Sequence, residues 1–119
     1  MIAHVVLFRP RTGLSASDRQ ALAVSFEQAL REIPSVRRAT IGRRRQHGAG
    51  YEQRPQEHYP YAAIIEFDDL SGLQQYLQHT AHADPAERLF AAIEAALVVD
   101  YEMIEGANLA AGAADWLTE

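Results

Sequence analysis

The chain has 119 residues, the length of one domain, and 11 basic against 16 acidic side chains give a net charge of −5. That sign argues against nucleic acid or an anionic membrane surface as partner, and the 48% apolar and 23% charged content is that of a globular chain, not a disordered one. Cysteine is absent, which excludes disulfides, thiolate nucleophiles and cysteine-ligated metal centres.

Ile2–Phe8 is rich in β-branched residues and is stopped by Arg9-Pro10, so it is predicted as the first strand. Ser15 with Asp18, or Ser17 with Gln20, supplies the start signal of a helix. Leu22, Phe26, Ala29, Leu30 and Ile33 then mark one face of a helix of about 16 residues, which Pro34 ends. Val36–Arg45 is a weaker strand, and Gln46–His58, with Gly48, Gly50 and Pro55, is a long loop with the length of a lid. Tyr59–Phe67 is a strand with Pro60 near its start. Asp68-Asp69 can cap a second helix carrying Leu70, Leu73, Tyr76 and Leu77. After a break near Pro85, Ala83–Ala95 is predicted as a further helix, and Ala96–Ile104 as the last strand. The expected division is a domain over 1–105 and a small-residue tail over 106–119 that ends with Trp116 and Leu117.

The order β-α-β-β-α-β is that of a ferredoxin-like α+β protomer, an antiparallel sheet with helices on one face. Such a sheet should alternate apolar and polar residues if its second face meets water. Val5-Val6-Leu7-Phe8, Ala62-Ala63-Ile64-Ile65 and Leu97-Val98-Val99 do not alternate. Apolar groups on both faces imply a covered second face, and a symmetric homodimer with the sheets face to face is the simplest cover.

The opening MIAHVVLF, the helix end IPSV, the strand YAAIIEF, the segment QQYLQHTAH and the closing ALVVDYE resemble the Dabb family, the stress-responsive dimeric α/β-barrel domains. The likeness spans about residues 1–102, and YLQHTAH follows the family's Y-x-x-H-P-x-H signature with Thr80 in place of proline. The resemblance implies a ferredoxin-like protomer, a dimeric α+β barrel and a cavity in each half. A polyketide-cyclase branch of the family closes its substrate by intramolecular aldol condensation with a histidine and a tyrosine six residues before it. Those positions fall on His82 and Tyr76, the family's strand-one histidine on His4, and two further pocket positions on Tyr61 and Phe26, where the cyclase has histidine and tyrosine.

His82 and Tyr76 are therefore the candidate acid–base pair, and His4, Phe26, Tyr61 and His79 the candidate substrate-binding residues. A neutral imidazole at His82 suits proton abstraction next to a carbonyl, and the Tyr76 hydroxyl suits hydrogen bonding to an enolate oxygen. Each has a plainer alternative: core packing for Tyr76, a satisfied structural role for His4, and a helix-end hydrogen bond to backbone for His79. His79 and His82 have a metal-like spacing but no carboxylates at a recognisable distance, so no metal is expected, and no cofactor. The five arginines from Arg37 to Arg45 are expected to form a solvated strand face paired with the acidic helices, since no aromatic residues interleave for base stacking. No stretch approaches the roughly 20 apolar residues of a membrane span. Ala3–Phe8 is too short for a secretion signal, so no membrane partner and a cytoplasmic location are expected. Two functional classes stay open: a cofactor-independent enzyme acting on a small apolar or carbonyl compound, cyclase-, lyase- or monooxygenase-like, and a non-catalytic ligand-binding or stress-protective oligomer.

Overall fold

The computed structural model describes residues 1–118. The elements run β1 (Ile2–Pro10), α1 (Ala16–Glu32), β2 (Arg38–Arg43), β3 (Tyr61–Phe67), α2 (Leu70–Gln78), α3 (Thr80–Ala92), β4 (Ile93–Glu102) and α4 (Leu109–Trp116). The four strands form one antiparallel sheet in the order β2-β3-β1-β4, with the helices α1 to α3 in the ferredoxin-like α+β arrangement.

Local chemistry sets the helix limits. Ser15 Oγ accepts from the Asp18 N–H at 3.0 Å, and Asp69 Oδ1 accepts from the Gly72 N–H at 2.9 Å, so each helix begins on a side-chain cap. Ile33 leaves the helical region just before Pro34, whose ring disfavours helical backbone in the preceding residue. The core lies where α1 and α2 meet the sheet: Ile33, Ile65 and Phe67 are almost fully buried, with Leu73 and Tyr76 packed on them. Each such side chain contributes about 1.5–3 kcal/mol of burial.

The strand registers sort the side chains between two faces. His4, Val6 and Phe8 of β1 share the helix-covered face with Ile65, Ala63 and Tyr61 of β3 and with Asp100, Val98 and Ala96 of β4. The opposite face carries Val5, Leu7, Ala62, Ile64, Leu97 and Val99, and among the described residues no element of the sheet-and-helix layer covers it. Ile64 and Leu97 are 38% and 43% exposed there, while on the other face the helices leave Val98 of β4 and Ile41 of β2 exposed toward the sheet edges.

Several boundaries differ from the sequence reading. The helical break falls at His79, not near Pro85. The third helix is Thr80–Ala92 instead of Ala83–Ala95, and Pro85 lies inside it. Proline there removes the N–H that would bond to the Ala81 carbonyl, but its buried ring packs against the cavity described below, and tertiary packing outweighs local preference. The last strand consequently begins at Ile93, three residues early, and ends at Glu102. The 46–58 loop contains a single 3-10 turn over Gly50–Gln53, held by the Glu52 carboxylate accepting from the His47 and Gly48 N–H groups. Arg37 and Arg38 pair with Asp68 and Glu66, acids of β3 and the turn after it, not of the helices. The tail forms a 3-10 turn and α4, with Trp116 and Leu117 exposed; its last residue lies outside the described residues. Among the described residues no helix is long and apolar enough to cross a membrane.

Candidate active site

Between the helices and the sheet lies a cavity of about 560 Å³, within the usual range for small-molecule sites. Its walls are mainly apolar, from β1, β3, β4, α1 and α3; His4, Tyr76 and His82 line one part of it, and Arg19, Glu27 and Tyr61 line it elsewhere.

The break at His79 builds the first of these parts. His79 closes α2 by donating its N–H to the Tyr76 carbonyl at 3.3 Å, and opens α3 by accepting from the Ala81 N–H on Nδ1 at 3.0 Å. This pivot sets Tyr76, from the last turn of α2, against His82, from the first turn of α3. Their ring centroids are 4.5 Å apart and nearly perpendicular. His4 approaches from β1, its ring centroid 5.9 Å from that of Tyr76. One helix–helix junction and one strand thus bring the three aromatic polar groups together.

Environment differentiates the three. Tyr76 is 3% exposed, and burial pushes its phenol up to about 12, so it stays protonated at ordinary pH. Among the described residues nothing hydrogen-bonds its hydroxyl, which opens on the cavity instead of being sealed in the core. His82 is held below its ordinary 6.5, first by burial and then by the nearby His4, and is therefore neutral at pH 7. Its ring has no hydrogen-bond partner among the described residues, which leaves it free to meet a ligand. His4 is 7% exposed and its Nδ1 lies 2.5 Å from Asp100 Oδ1, so the carboxylate fixes the ring and turns Nε2 away from itself.

The structure places His4, Phe26, Tyr61, Tyr76 and His82 on the cavity wall. His79 is not on that wall; its imidazole is used as a helix cap, and its bond is to a backbone N–H rather than to a carbonyl. Phe26 and Tyr61 lie elsewhere on the wall, Tyr61 stacked on Phe8 with centroids 5.6 Å apart. Asp100 is the residue that sequence reasoning missed. The segment ALVVDYEMI carries two carboxylates, Asp100 and Glu102, and only the β1–β4 register, which sets His4 opposite Asp100, reveals which one is used. Among the described residues no group of three histidine, aspartate or glutamate side chains is arranged to hold a metal ion.

The four-stranded antiparallel sheet and its helices define a ferredoxin-like α+β protein with a cavity between sheet and helices. The chain belongs to the stress responsive A/B barrel domain family, Dabb, which it matches over residues 2–103. Among solved structures it is similar to a dimeric protein of unknown function and ferredoxin-like fold from Bacteroides fragilis, at TM-score 0.60 and 25% identity over 86% of this chain and 95% of that one. A hydroxynitrile lyase from Passiflora edulis shares the fold at TM-score 0.71 and 15% identity, covering 87% of this chain and 94% of that one. So does SnoaB, a cofactor-independent oxygenase from Streptomyces nogalater, at TM-score 0.65 and 17% identity, covering 87% and 93%. No curated protein matches the chain by sequence.

Proposed function

We propose that the protein is a small-molecule enzyme that moves a proton on a carbonyl compound inside this cavity, with His82 as base and Tyr76 as hydrogen-bond donor. The observation that carries the reading is the junction at His79: it sets a neutral, unbonded imidazole against a protonated, unbonded phenol on the wall of a mainly apolar cavity. The His82 imidazole takes a proton from the carbon next to the carbonyl. The electron pair of that C–H bond moves into the enolate, and the Tyr76 O–H donates to the enolate oxygen. In an aldol-type cyclisation the enolate carbon then bonds to a second carbonyl carbon of the same molecule, and the imidazolium returns its proton to the new alkoxide. His4, oriented by Asp100, offers its second ring nitrogen to the same ligand. A lyase and an oxygenase on the same fold are in keeping with small-molecule chemistry in this architecture.

The working unit on this reading is a homodimer in the cytoplasm, closed as an α+β barrel through the uncovered sheet face. The apolar side chains on that face and the dimeric neighbour of the same fold support it. The predominance of apolar residues on the cavity wall favours one second reading, a ligand-binding or stress-protective oligomer without chemistry.

Exchange of ketone α-protons with deuterium, followed by proton NMR in D2O, separates the two. The enzyme reading expects protein-dependent exchange that His82→Gln reduces to the solvent rate. Exchange that survives this substitution refutes the assignment of His82, and binding without any exchange establishes the second reading.

A further inference from the structure

Arg19 differs from the other arginines of the chain in its place and in its partners. With Leu22, Ala23, Phe26 and Glu27 it forms the stripe of α1 that lines the cavity, at the spacing of one helix face. The lining continues past Phe8 and Tyr61 to Pro10, Leu14 and Arg19, and Arg19 is exposed, so the cavity meets solvent at this rim. Arg9, Arg37, Arg38 and Arg88 are each paired with a carboxylate, whereas among the described residues Arg19 has no acid partner. Its Nη1 donates to the Leu14 carbonyl at 2.6 Å. That bond ties the guanidinium to the rim and leaves Nε and Nη2 without a partner among the described residues. Those two donors form the side-on fork that matches both oxygens of a carboxylate.

The same helix sets a direction. Ser25 of α1 donates to Asp84 of α3 at 2.5 Å, which brings that turn of α1 level with the start of α3, where His82 stands. Arg19 precedes Ser25 by two turns less one residue, about 9 Å toward the rim at roughly 1.5 Å per residue. Glu27 lies just beyond Ser25 on the cavity stripe, with no cation paired to it among the described residues, and it repels an anion at that level. The stripe is therefore cationic at the rim and anionic near the level of His82.

We infer that the cavity takes an oxo acid, its carboxylate held at the rim by Arg19 and its carbonyl at Tyr76 and His82. The carbonyl end rests on the function proposed above; the carboxylate end rests on Arg19. An extended chain covers roughly 1.2 Å per bond, so about six to eight bonds separate the two groups. Arg19 is then the residue that selects acids over neutral ketones.

The test is a titration of the 15N-labelled protein with two matched pairs, read as Kd from amide shifts: 7-oxooctanoate against octan-2-one, and 4-oxopentanoate against pentan-2-one. Within each pair the ketone and chain are the same and only the terminal carboxylate differs. The chain as a whole carries a net charge of −5, so a preference for the acid reports a local contact and not long-range attraction. The longer acid should bind about fivefold to tenfold tighter than octan-2-one, a gain kept modest because solvent reaches Arg19. The shorter acid cannot span the two groups and should bind no tighter than pentan-2-one. Arg19→Gln, at an exposed position, should leave 7-oxooctanoate and octan-2-one with the same Kd. Equal affinities of the longer pair in the native protein, an acid preference of the same size in the shorter pair, or a preference that survives Arg19→Gln overturns the inference. Proton exchange keeps this separate from the function proposed above. An acid preference that depends on Arg19, without exchange in the native protein, removes the enzyme reading and leaves the carboxylate site. Exchange that depends on His82, without an acid preference, does the reverse.

Discussion

Removing only the hydroxyl of Tyr76 separates the two duties of that residue. The ring packs against Phe67 at a centroid distance of 5.3 Å and against His82 at 4.5 Å, and the residue is 3% exposed, so the ring is core. Truncation by Tyr76→Ala empties that space and should cost about 3–5 kcal/mol. The hydroxyl has no bond to lose among the described residues. An unpaired polar group in a buried setting is itself unfavourable by about 1–3 kcal/mol, less where cavity water reaches it. Tyr76→Phe should therefore leave stability unchanged or raise it by about 1 kcal/mol. Loss of a donor to a developing oxyanion nevertheless slows reaction by about 10²–10³-fold. Urea unfolding gives the first quantity and α-proton exchange the second. A Tyr76→Phe protein destabilised by more than about 1.5 kcal/mol, with exchange intact, would show that the hydroxyl serves the fold and not the ligand.

Four further expectations follow from the same geometry. The exchange rate should fall as pH drops through a value below 6.5, because burial and His4 hold His82 below its ordinary pKa and only the neutral ring is a base. The folded value lies below the unfolded one, so the stability His82 contributes is complete above 6.5 and is lost as pH falls through the lowered value; denaturation of His82→Gln should lack that part of the pH dependence. Asp100→Asn removes the charge that fixes His4; we expect roughly tenfold slower exchange and an upfield shift of the His4 Nδ1 proton, and an unmoved resonance would deny the pairing its orienting role. Leu97→Glu places a charge on the uncovered sheet face, and sedimentation should then show monomers where the native chain gives dimers.

Much of the fold was legible because local chemistry and periodicity agreed. β-branched runs marked the strands, Ser15 and Asp69 announced their helices, and Pro34 closed the first of them. The α2–α3 region was read less well for a physical reason. Pro85 is a strong local breaker, whereas His79 carries no breaking signal in sequence; packing of the Pro85 ring decides that α3 runs through it. That one displaced boundary also shifted the start of β4, since Ile93 suits a helix face as readily as a strand. At the site, Tyr76, His82 and His4 came from a family resemblance, and their meeting depends on the pivot at His79 and on the register of β1. His79 itself could be placed near the site but not on the correct side of the turn. Asp100 is separated from His4 by 96 residues, and no spacing rule connects them.

The most direct test of the account is a crystal structure of the protein with decan-2-one. We expect the ketone oxygen about 2.6–3.2 Å from the Tyr76 hydroxyl and the neighbouring carbon facing the His82 ring. A ketone oxygen turned away from Tyr76, or a cavity that stays empty at saturating ligand, would contradict it.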